Sequence, residues 1–349
     1  TVHMERQDLL ATLRQFASST PEDARATFHL GPDGRDWTVA GAQRDVRSLE
    51  PVEDGVFRIL YRPFDWRFTF WTGKTKGFLA YPRREVMQHL IPGGNLGLMF
   101  NRQITGESVS HFAVTDCICC HGTFYLGNKG QDYVAPFWLV DEGGLLGASH
   151  RCPNLSAQAL SFLRQSFDQS ELSAAQIEAF LYYTLAVLSS PTYRTLFDEQ
   201  LRVDFPRVPL STSRPLFVEL VELGEKVADR LLLRSGRVGN VKYVGPPNPL
   251  VERPTYNPAT MSLGIGGTAE FEGVSERAAR FSLGGYVVAE KWLKDRRGER
   301  LTDVDVRHFE HVLEAMDELA QLALEIDAVV EAHGGWPGAF QQSNDEVAS

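Results

Sequence analysis

Between Leu301 and Gly335 the chain has little choice but to form one long amphipathic helix. Thr302 stands as N-cap with Asp305 at N3, Leu301 and Val306 flank the start as a hydrophobic staple, and Gly334-Gly335 supplies the stop. Phe309, Leu313, Met316, Ala320, Ala323, Ile326 and Val330 recur at helical spacing and form the stripe to be buried. The acids fall on the opposite face, which predicts a solvated surface that a polyanion would be repelled by. Any fold for this chain must give that stripe a layer to pack on.

A shorter helix precedes it. Gly284-Gly285 releases a turn, Val288, Trp292 and Leu293 share a face, and Gly298 stops the run. Lys294, Arg296 and Arg297 fall in its last turn, at the negative end of the helix dipole. A capped helix explains those cations without a ligand; a nucleic-acid contact is the other reading.

From the start, Leu9, Leu10, Leu13 and Phe16 recur at helical spacing, followed by the turn GPDGRD. Beyond Val52 the pattern becomes strand-like: Phe57, Ile59 and Tyr61 alternate, then Trp66, Phe68 and Phe70 share one face and Arg67, Thr69 and Trp71 the other. Aromatics interleaved with bases suit both a half-buried strand and stacking on nucleotides. After the loop TGKTKG, Pro82-Arg83-Arg84-Glu85 starts a short helix, and the run from Pro92 to Gln103 turns into another strand. Ser173 and Gln176 form a capping box before Ile177, Phe180, Leu181, Leu185 and Leu188. Ser190-Pro191 begins a further helix that Asp204 to Pro209 ends, and Phe217, Leu220, Val221, Val227, Ala228 and Leu231 mark one from about 215 to 233. Residues 236–275 lose helical periodicity and fill with Gly, Pro and Asn, which reads as a loop-rich strand region.

The fold class expected is therefore α+β. A helical lead-in occupies 1–50, a β-rich lobe 51–155, a helical lobe 156–235, the loop-rich strands 236–283, the C-terminal helices 284–335 and a tail 336–349. The opening, with Met4 and no first strand, is what a piece of a longer chain would show. No apolar run approaches the roughly 20 residues needed to span a bilayer and no signal peptide is visible, so a cytoplasmic protein is expected.

The net charge of −10 argues against a nucleic-acid partner until its distribution is considered. From Glu299 to Ser349 there are twelve acids and two bases, which is the entire excess; the residues before hold 33 of each sign. Between Arg58 and Gln103 the bases are Arg58, Arg62, Arg67, Lys74, Lys76, Arg83, Arg84 and Arg102, against only Asp65 and Glu85. A phosphate backbone responds to charge within a Debye length of roughly 8 Å, so this basic window outweighs the distant acids.

Catalytic signatures are scarce. GGNLG and GIGG lack the strand-to-helix context of a cofactor loop, no Walker motif is present, and GPPNP has Asn248 behind its prolines with no aromatic to hold a target base. Neither an adenosylmethionine glycine motif nor an Asp with Glu-x-Lys nuclease pair is found. Cys117, Cys119, Cys120 and His121, with His150 and Cys152 beyond, have thiolate and imidazole chemistry that suits zinc, but the paired Cys-x-x-Cys spacing of structural zinc is missing. Buried cysteines, a metal site and a Cys/His nucleophilic pair are the three readings; no metal is assigned.

Several blocks in order carry a resemblance. YRPFDWR, YPRREVMQHL, GGNLGLMFNRQ and HFAVTD in the first half, LAVLSSPTYRTLFDEQLRVDFPRVPL in the middle and GGYVVAEKWLKDRRGERLTDVDVRHFEHVL near the end are similar to the specificity region of Type ISP restriction-modification enzymes and their Type IIG relatives. The resemblance covers about residues 55 to 332. It implies a non-catalytic target recognition domain that docks double-stranded DNA, reads a short asymmetric sequence and serves an upstream adenine-specific methyltransferase domain of the same chain. That upstream domain would bind S-adenosylmethionine; no cofactor is expected in these residues.

On that reading Arg62, Arg67, Lys74, Lys76, Arg83, Arg84 and Arg102 are expected on the DNA backbone, because family members read different sequences and signature residues suit positioning. Asn128, Lys129, Gln131, Asn240, Lys242, Tyr243 and Arg253, on idiosyncratic loops, are the base-reading candidates: amides pair with adenine, Arg and Lys with guanine. The alternatives are a small enzyme using the Cys/His cluster, and a protein-interaction module.

Overall fold

The computed structural model describes residues 2–105, 109–124, 131–141, 150–237 and 239–341. In chain order the described helices and strands begin with α1 (Arg6–Ser18), α2 (Pro21–Thr27), α3 (Val39–Val46), β1 (Val56–Arg62), β2 (Asp65–Phe70) and α4 (Arg84–Met87). Short strands follow: β3 (Gly97–Asn101), β4 (Phe112–Thr115), β5 (Ile118–Cys119), β6 (Asp132–Pro136), β7 (Trp138–Asp141) and β8 (His150–Pro153). Then come α5 (Ala157–Phe167), α6 (Ala174–Ser189), α7 (Pro191–Leu196), α8 (Asp198–Val203) and α9 (Arg214–Leu231). The chain continues through β9 (Lys242–Val244), β10 (Thr255–Asn257), β11 (Ser262–Gly266), β12 (Ala269–Glu272), α10 (Glu276–Ala279), β13 (Ser282–Leu283), β14 (Tyr286–Val287), α11 (Val288–Lys294) and α12 (Asp303–Ala332). The fold is α+β, and among the described residues no helix is long and apolar enough to cross a membrane.

The chain divides into two compact units: Thr1–Gly97, Thr115–Thr123 and Val134–Cys152 in the first, and Leu98–Val114, Phe124–Tyr133 and Pro153–Ser349 in the second. The expected β-rich lobe over 51–155 is thus shared between them. The segment 1–50, expected as a lead-in, is part of the first unit: Leu9, Leu10, Leu13 and Phe16 close one core with Val39, Val46, Val56 and Phe70. In that unit β1 is central, antiparallel to β2 with Ile59 opposite Arg67, and parallel to β5 with Ile59 opposite Ile118.

In the second unit α9 packs against α6 and α12. The capping box of Ser173 and Gln176 starts α6, and that of Thr302 and Asp305 starts α12, as their sequences predict. At 30 residues α12 is about 45 Å long. The single helix expected after Ser190 is broken. Phe197 leaves helical geometry, its ring lying 5.0 Å from Tyr193 and 6.5 Å from Trp336. Asp198 and Glu199 then open α8 with the negative charge a helix N-terminus favours. The helix after Gly284-Gly285 is also shorter than expected, ending at Lys294. Gly284 is required there: its φ is 63°, and a Cβ would stand 2.4 Å from the Phe124 carbonyl oxygen. Arg296 does not face solvent at a helix end but is buried, its guanidinium 3.6 Å from the Trp292 ring centroid, while Phe309 stacks on Trp292 at 4.4 Å.

The loop-rich region forms a four-stranded antiparallel sheet in the order β10-β11-β12-β9. Register puts Tyr256, Leu263, Phe271 and Tyr243 in one row, and Phe271 meets Phe309 of α12 edge-on at 5.1 Å. The next row is Asn257, Ser262, Glu272 and Lys242, on the other face by strand alternation. The outer edge of β9 is closed by α12. Glu314 accepts from the Val241 N–H at 3.1 Å and Glu310 from the Tyr243 N–H at 2.8 Å. Arg237 binds both carboxylates, donating to Glu314 at 2.9 and 2.7 Å, and also reaches the Val241 carbonyl.

These contacts correct the expectation of a solvated acidic face on α12. Glu310 and Glu314 are buried. Glu318 pairs with Arg230 of α9, Asp317 with Arg277 and the Ser275 hydroxyl at the start of α10, and Asp327 accepts from Thr192 N–H and hydroxyl at 3.1 and 2.7 Å, at the start of α7. The acids lie along the helix as connectors because each neighbouring element brings a cation or an orphan N–H to it.

Glu314→Ala is expected to destabilise the second unit by about 3 kcal/mol, since it removes one of the two carboxylates on the Arg237 guanidinium and leaves the Val241 N–H without its acceptor. Glu325→Ala, losing one weak bond to Gln321, is expected within about 0.5 kcal/mol of wild type. Urea midpoints of the two variants check the contrast; equal effects would mean the clamp carries no stability.

A pH dependence is also expected. His111 is buried with its ring against Phe124, and burial, then the charge of Arg202, pushes its pKa down to about 4. A depressed histidine pKa means the unfolded chain takes the proton first, so stability is full above about pH 6.5 and falls as pH drops toward 4, by up to ~3 kcal/mol. Chemical denaturation at several pH values, with His111→Gln flattening that slope, measures it.

Candidate nucleic-acid interface

The basic window separates into inward and outward cations. The turn between β1 and β2 brings Arg62 and Arg67 over the Tyr61 ring, at 4.1 and 3.9 Å from its centroid. Arg67 pairs with buried Asp65 at 2.9 Å, and Arg62, only 5% exposed, donates to the Tyr61 carbonyl at 2.6 Å. The sequence places both on phosphates; in the structure the Tyr61 ring and the Asp65 carboxylate hold them in the hairpin instead. Arg58 behaves similarly at the surface, donating to Asp116 at 2.6 Å beside the Trp66 ring.

The outward cations sit on the segment after β2. Asp45 of α3, itself buried, accepts from the Thr72 hydroxyl at 2.9 Å and the Phe78 N–H at 2.7 Å, and anchors this loop. Gly77 allows the approach, since a Cβ there would be 2.2 Å from the Asp45 carboxylate. The loop so fixed exposes Lys74. Lys76 is exposed but engaged, 3.4 Å from Asp36 and donating to the Arg35 carbonyl at 3.1 Å. Hydrogen bonds from Tyr81, then Arg35 and Lys76, hold the Asp36 carboxyl below its ordinary pKa.

Trp71 donates its indole N–H to the Pro82 carbonyl at 3.0 Å, which fixes the following Arg83 and Arg84. Arg83 has a left-handed backbone, φ 50°, and its guanidinium stands 5.7 Å from the exposed Tyr81 ring. Arg84 donates only a long bond to Gln88, 3.5 Å. Among the described residues Lys74, Arg83 and Arg84 form no ion pair, and all three are exposed on this anchored segment of the first unit.

Arg102 belongs to the second unit. It is exposed, 3.8 Å from Asp204 and 5.2 Å from the Phe205 ring centroid. Of the base-reading candidates, Asn128 and Lys129 lie outside the described residues. Gln131, Asn240, Lys242 and Arg253 are exposed. Tyr243 is not presented outward: its ring lies 5.4 Å from Phe271 and its hydroxyl donates to the Pro246 carbonyl at 2.7 Å. The inner register of β9 decides this, since Tyr243 alternates with outward Lys242 and Val244. Phe205 and Arg207, which the sequence marks only as a helix end, are exposed, Phe205 beside Arg102 and Arg207 paired with Asp204. The signal available was an aromatic residue directly before proline.

Among the described residues no disulfide joins Cys117, Cys119, Cys120 or Cys152. Burial raises the Cys117 thiol pKa, the opposite of what a nucleophile or metal ligand needs, and among the described residues no three His, Cys, Asp or Glu side chains form a group able to hold a metal ion.

The chain belongs to the family of Type ISP C-terminal specificity domains, which it matches over residues 1–322. Its fold is similar to three solved structures. One, described as an ATP-dependent Type ISP restriction-modification enzyme, LlaBIII, bound to DNA, matches 93% of this chain and 21% of that one at 14% identity and a TM-score of 0.61. A DrdV-DNA complex matches 95% and 34% at 18% identity and a TM-score of 0.63. A nuclease-deletion mutant of the Type ISP enzyme LlaGI with a DNA substrate mimic matches 92% and 30% at 14% identity and a TM-score of 0.56. The chain thus spans between a fifth and about a third of those structures. No curated protein matches the sequence.

The division of cations yields opposite mutational signatures. Arg67→Ala is expected to cost about 3 kcal/mol of stability in the first unit by breaking the pair with buried Asp65, whereas Arg83→Ala with Arg84→Ala is expected to change it by less than about 0.5 kcal/mol. Thermal or urea unfolding separates them, and a stable Arg67→Ala variant would contradict the inward assignment.

Proposed function

We propose that this chain is the DNA target recognition part of a longer restriction-modification enzyme. It docks duplex DNA, reads a short sequence, and gives specificity to an adenine-specific methyltransferase domain upstream in the same polypeptide. S-adenosylmethionine belongs to that domain, and the enzyme works in the cytoplasm. The observation that carries the reading is the anchored cationic segment of Lys74, Arg83 and Arg84 in a member of the specificity-domain family. The paired acids of α12 remove the main objection, because a carboxylate neutralised by a neighbouring cation contributes little repulsion at a distance. The relatives' descriptions as DNA complexes support the same partner.

Lys74, Arg83 and Arg84 position the backbone without reading sequence. Lys242, Asn240, Arg253 and Gln131, exposed and not tied into the core, have the side-chain chemistry for base edges; Asn128 and Lys129 are kept as candidates on sequence grounds. The chain alone is expected to transfer no methyl group.

The experiment is duplex binding by the chain across a salt series. Each phosphate contact contributes roughly −0.9 to the slope of log affinity against log salt, so Arg83→Ala with Arg84→Ala should flatten it by about 1.8 and weaken all sequences alike. In the intact enzyme, methylation profiling of Lys242→Ala and Arg253→Ala tests base reading, with a relaxed position costing roughly 1 to 3 kcal/mol of discrimination. A flat salt dependence in the wild type would overturn the proposal.

A further inference from the structure

The turn after α8 sets an aromatic ring in the open between two arginines. Phe205 is 41% exposed, although its ring meets Phe100 edge-on at 5.9 Å and Tyr133 at 5.2 Å. Phe100 and Tyr133 are themselves stacked, 5.9 Å apart with 8° between planes, and so form a floor beneath it. Arg102 lies against the Phe205 ring and 3.8 Å from the Asp204 carboxylate; Arg207 reaches the same carboxylate at 3.3 Å. Two cations share one anion, and all three side chains are exposed, at 50%, 89% and 46% for Arg102, Arg207 and Asp204. Exposed ion pairs of this kind are weak and exchange readily for another anion.

The mount is fixed from behind. Ile104 N–H donates to the Arg202 carbonyl at 3.2 Å, tying the Arg102 loop to the end of α8. The buried Tyr193 hydroxyl donates to the Arg207 carbonyl at 2.7 Å, and the buried Tyr183 hydroxyl donates to the Pro209 carbonyl at 2.6 Å. Ser211 N–H donates to the same Tyr183 oxygen at 3.1 Å. Burial pushes Tyr193 up to about 12 and raises Tyr183 as well, so both hydroxyls remain donors. Pro206 restricts the backbone between Phe205 and Arg207. A side chain held this way loses little freedom on contact, so its apolar face is available at low entropic cost.

An apolar ring with a cationic rim suits neither a dry protein interface nor an acidic peptide without a flat apolar group. Nucleic acid offers both parts: phosphates for the guanidiniums, and a base with a π-face for the ring. We propose that Arg102, Phe205 and Arg207 form a second DNA contact, in which the two arginines hold phosphates of one strand and Phe205 stacks on a base drawn out of the duplex. The proposal rests on the reading that the chain binds DNA, and it adds a site that reads distortion instead of sequence.

The test uses the 349-residue chain with two mixed-sequence duplexes, one fully paired and one carrying a single unpaired 2-aminopurine. Wild type is expected to bind the second more tightly and to quench its fluorescence. Phe205→Ala should lose that preference, a drop of roughly fivefold or more from removing one stacking contact, while Phe205→Trp keeps it. Arg102→Gln with Arg207→Gln should weaken both duplexes and flatten the salt slope by about 1.8. Unchanged affinity and quenching in Phe205→Ala, with wild-type binding intact, overturns the stacking site alone. Failure of the wild type to bind either duplex overturns the DNA reading itself. Loss of thermal stability in Phe205→Ala and Phe205→Trp without loss of the preference assigns the ring to packing and also overturns the proposal.

Discussion

The clamp of Glu310 and Glu314 around Arg237 is the contact on which the second unit depends. Two carboxylates at i and i+4 on α12 share a face, which lets them span successive outward N–H groups of β9, two residues apart on the strand. Without them β9 is an exposed sheet edge with unmet donors. With them, the sheet and the longest helix become one body, and the guanidinium pays the electrostatic cost of burying two acids side by side. Phe271 on Phe309 and Trp292 on Phe309 then supply the apolar contact beside the clamp.

The same chemistry explains where much of the acidic excess of a chain of charge −10 goes. Acids in the last part of the sequence were legible as an amphipathic helix but not as connectors, because their partners Arg230, Arg237 and Arg277 lie from 40 to 88 residues away in the chain. Spacing along one helix carries no information about such partners. The inverse error concerns the cations. Arg62, Arg67, Arg83 and Arg84 look alike in a count of bases, and only Tyr61 and Asp65 beside the first two decide that these face inward.

Local signals were read correctly where the physics is local. The capping boxes at Ser173 and Thr302, the core face of α1 and the turn at Gly284 each depend on residues within a few positions. The break at Phe197 was not legible in helical spacing: its ring lies beside Tyr193 and near Trp336, the latter 139 residues further on. Packing of α1 on Val56 and Phe70 was missed for the same reason, and with it the place of residues 1–50 in the first unit. Of the site, the exposed segment from Lys74 to Arg84 was legible as charge. Its anchor, Asp45, was not, since nothing in the sequence marks a buried aspartate that accepts from a loop more than 25 residues away.

A domain whose task is to discriminate among sequences has to vary its outward side chains while its backbone stays still. Strand β9 meets both conditions at once. Lys242 points out and opposite Glu272, whereas Tyr243 points in and its N–H is fixed by Glu310. Register is set entirely by the inner row and the clamp, so changing the outer side chain alters charge and hydrogen-bonding pattern without shifting the strand by a residue, a slip that would turn Tyr243 to solvent. The cationic segment after β2 obeys the same separation, with Asp45 holding the loop backbone while the Lys74 side chain stays exposed. Stability in this chain therefore resides in contacts that never face outward, which is what allows the exposed side chains to change without changing the fold.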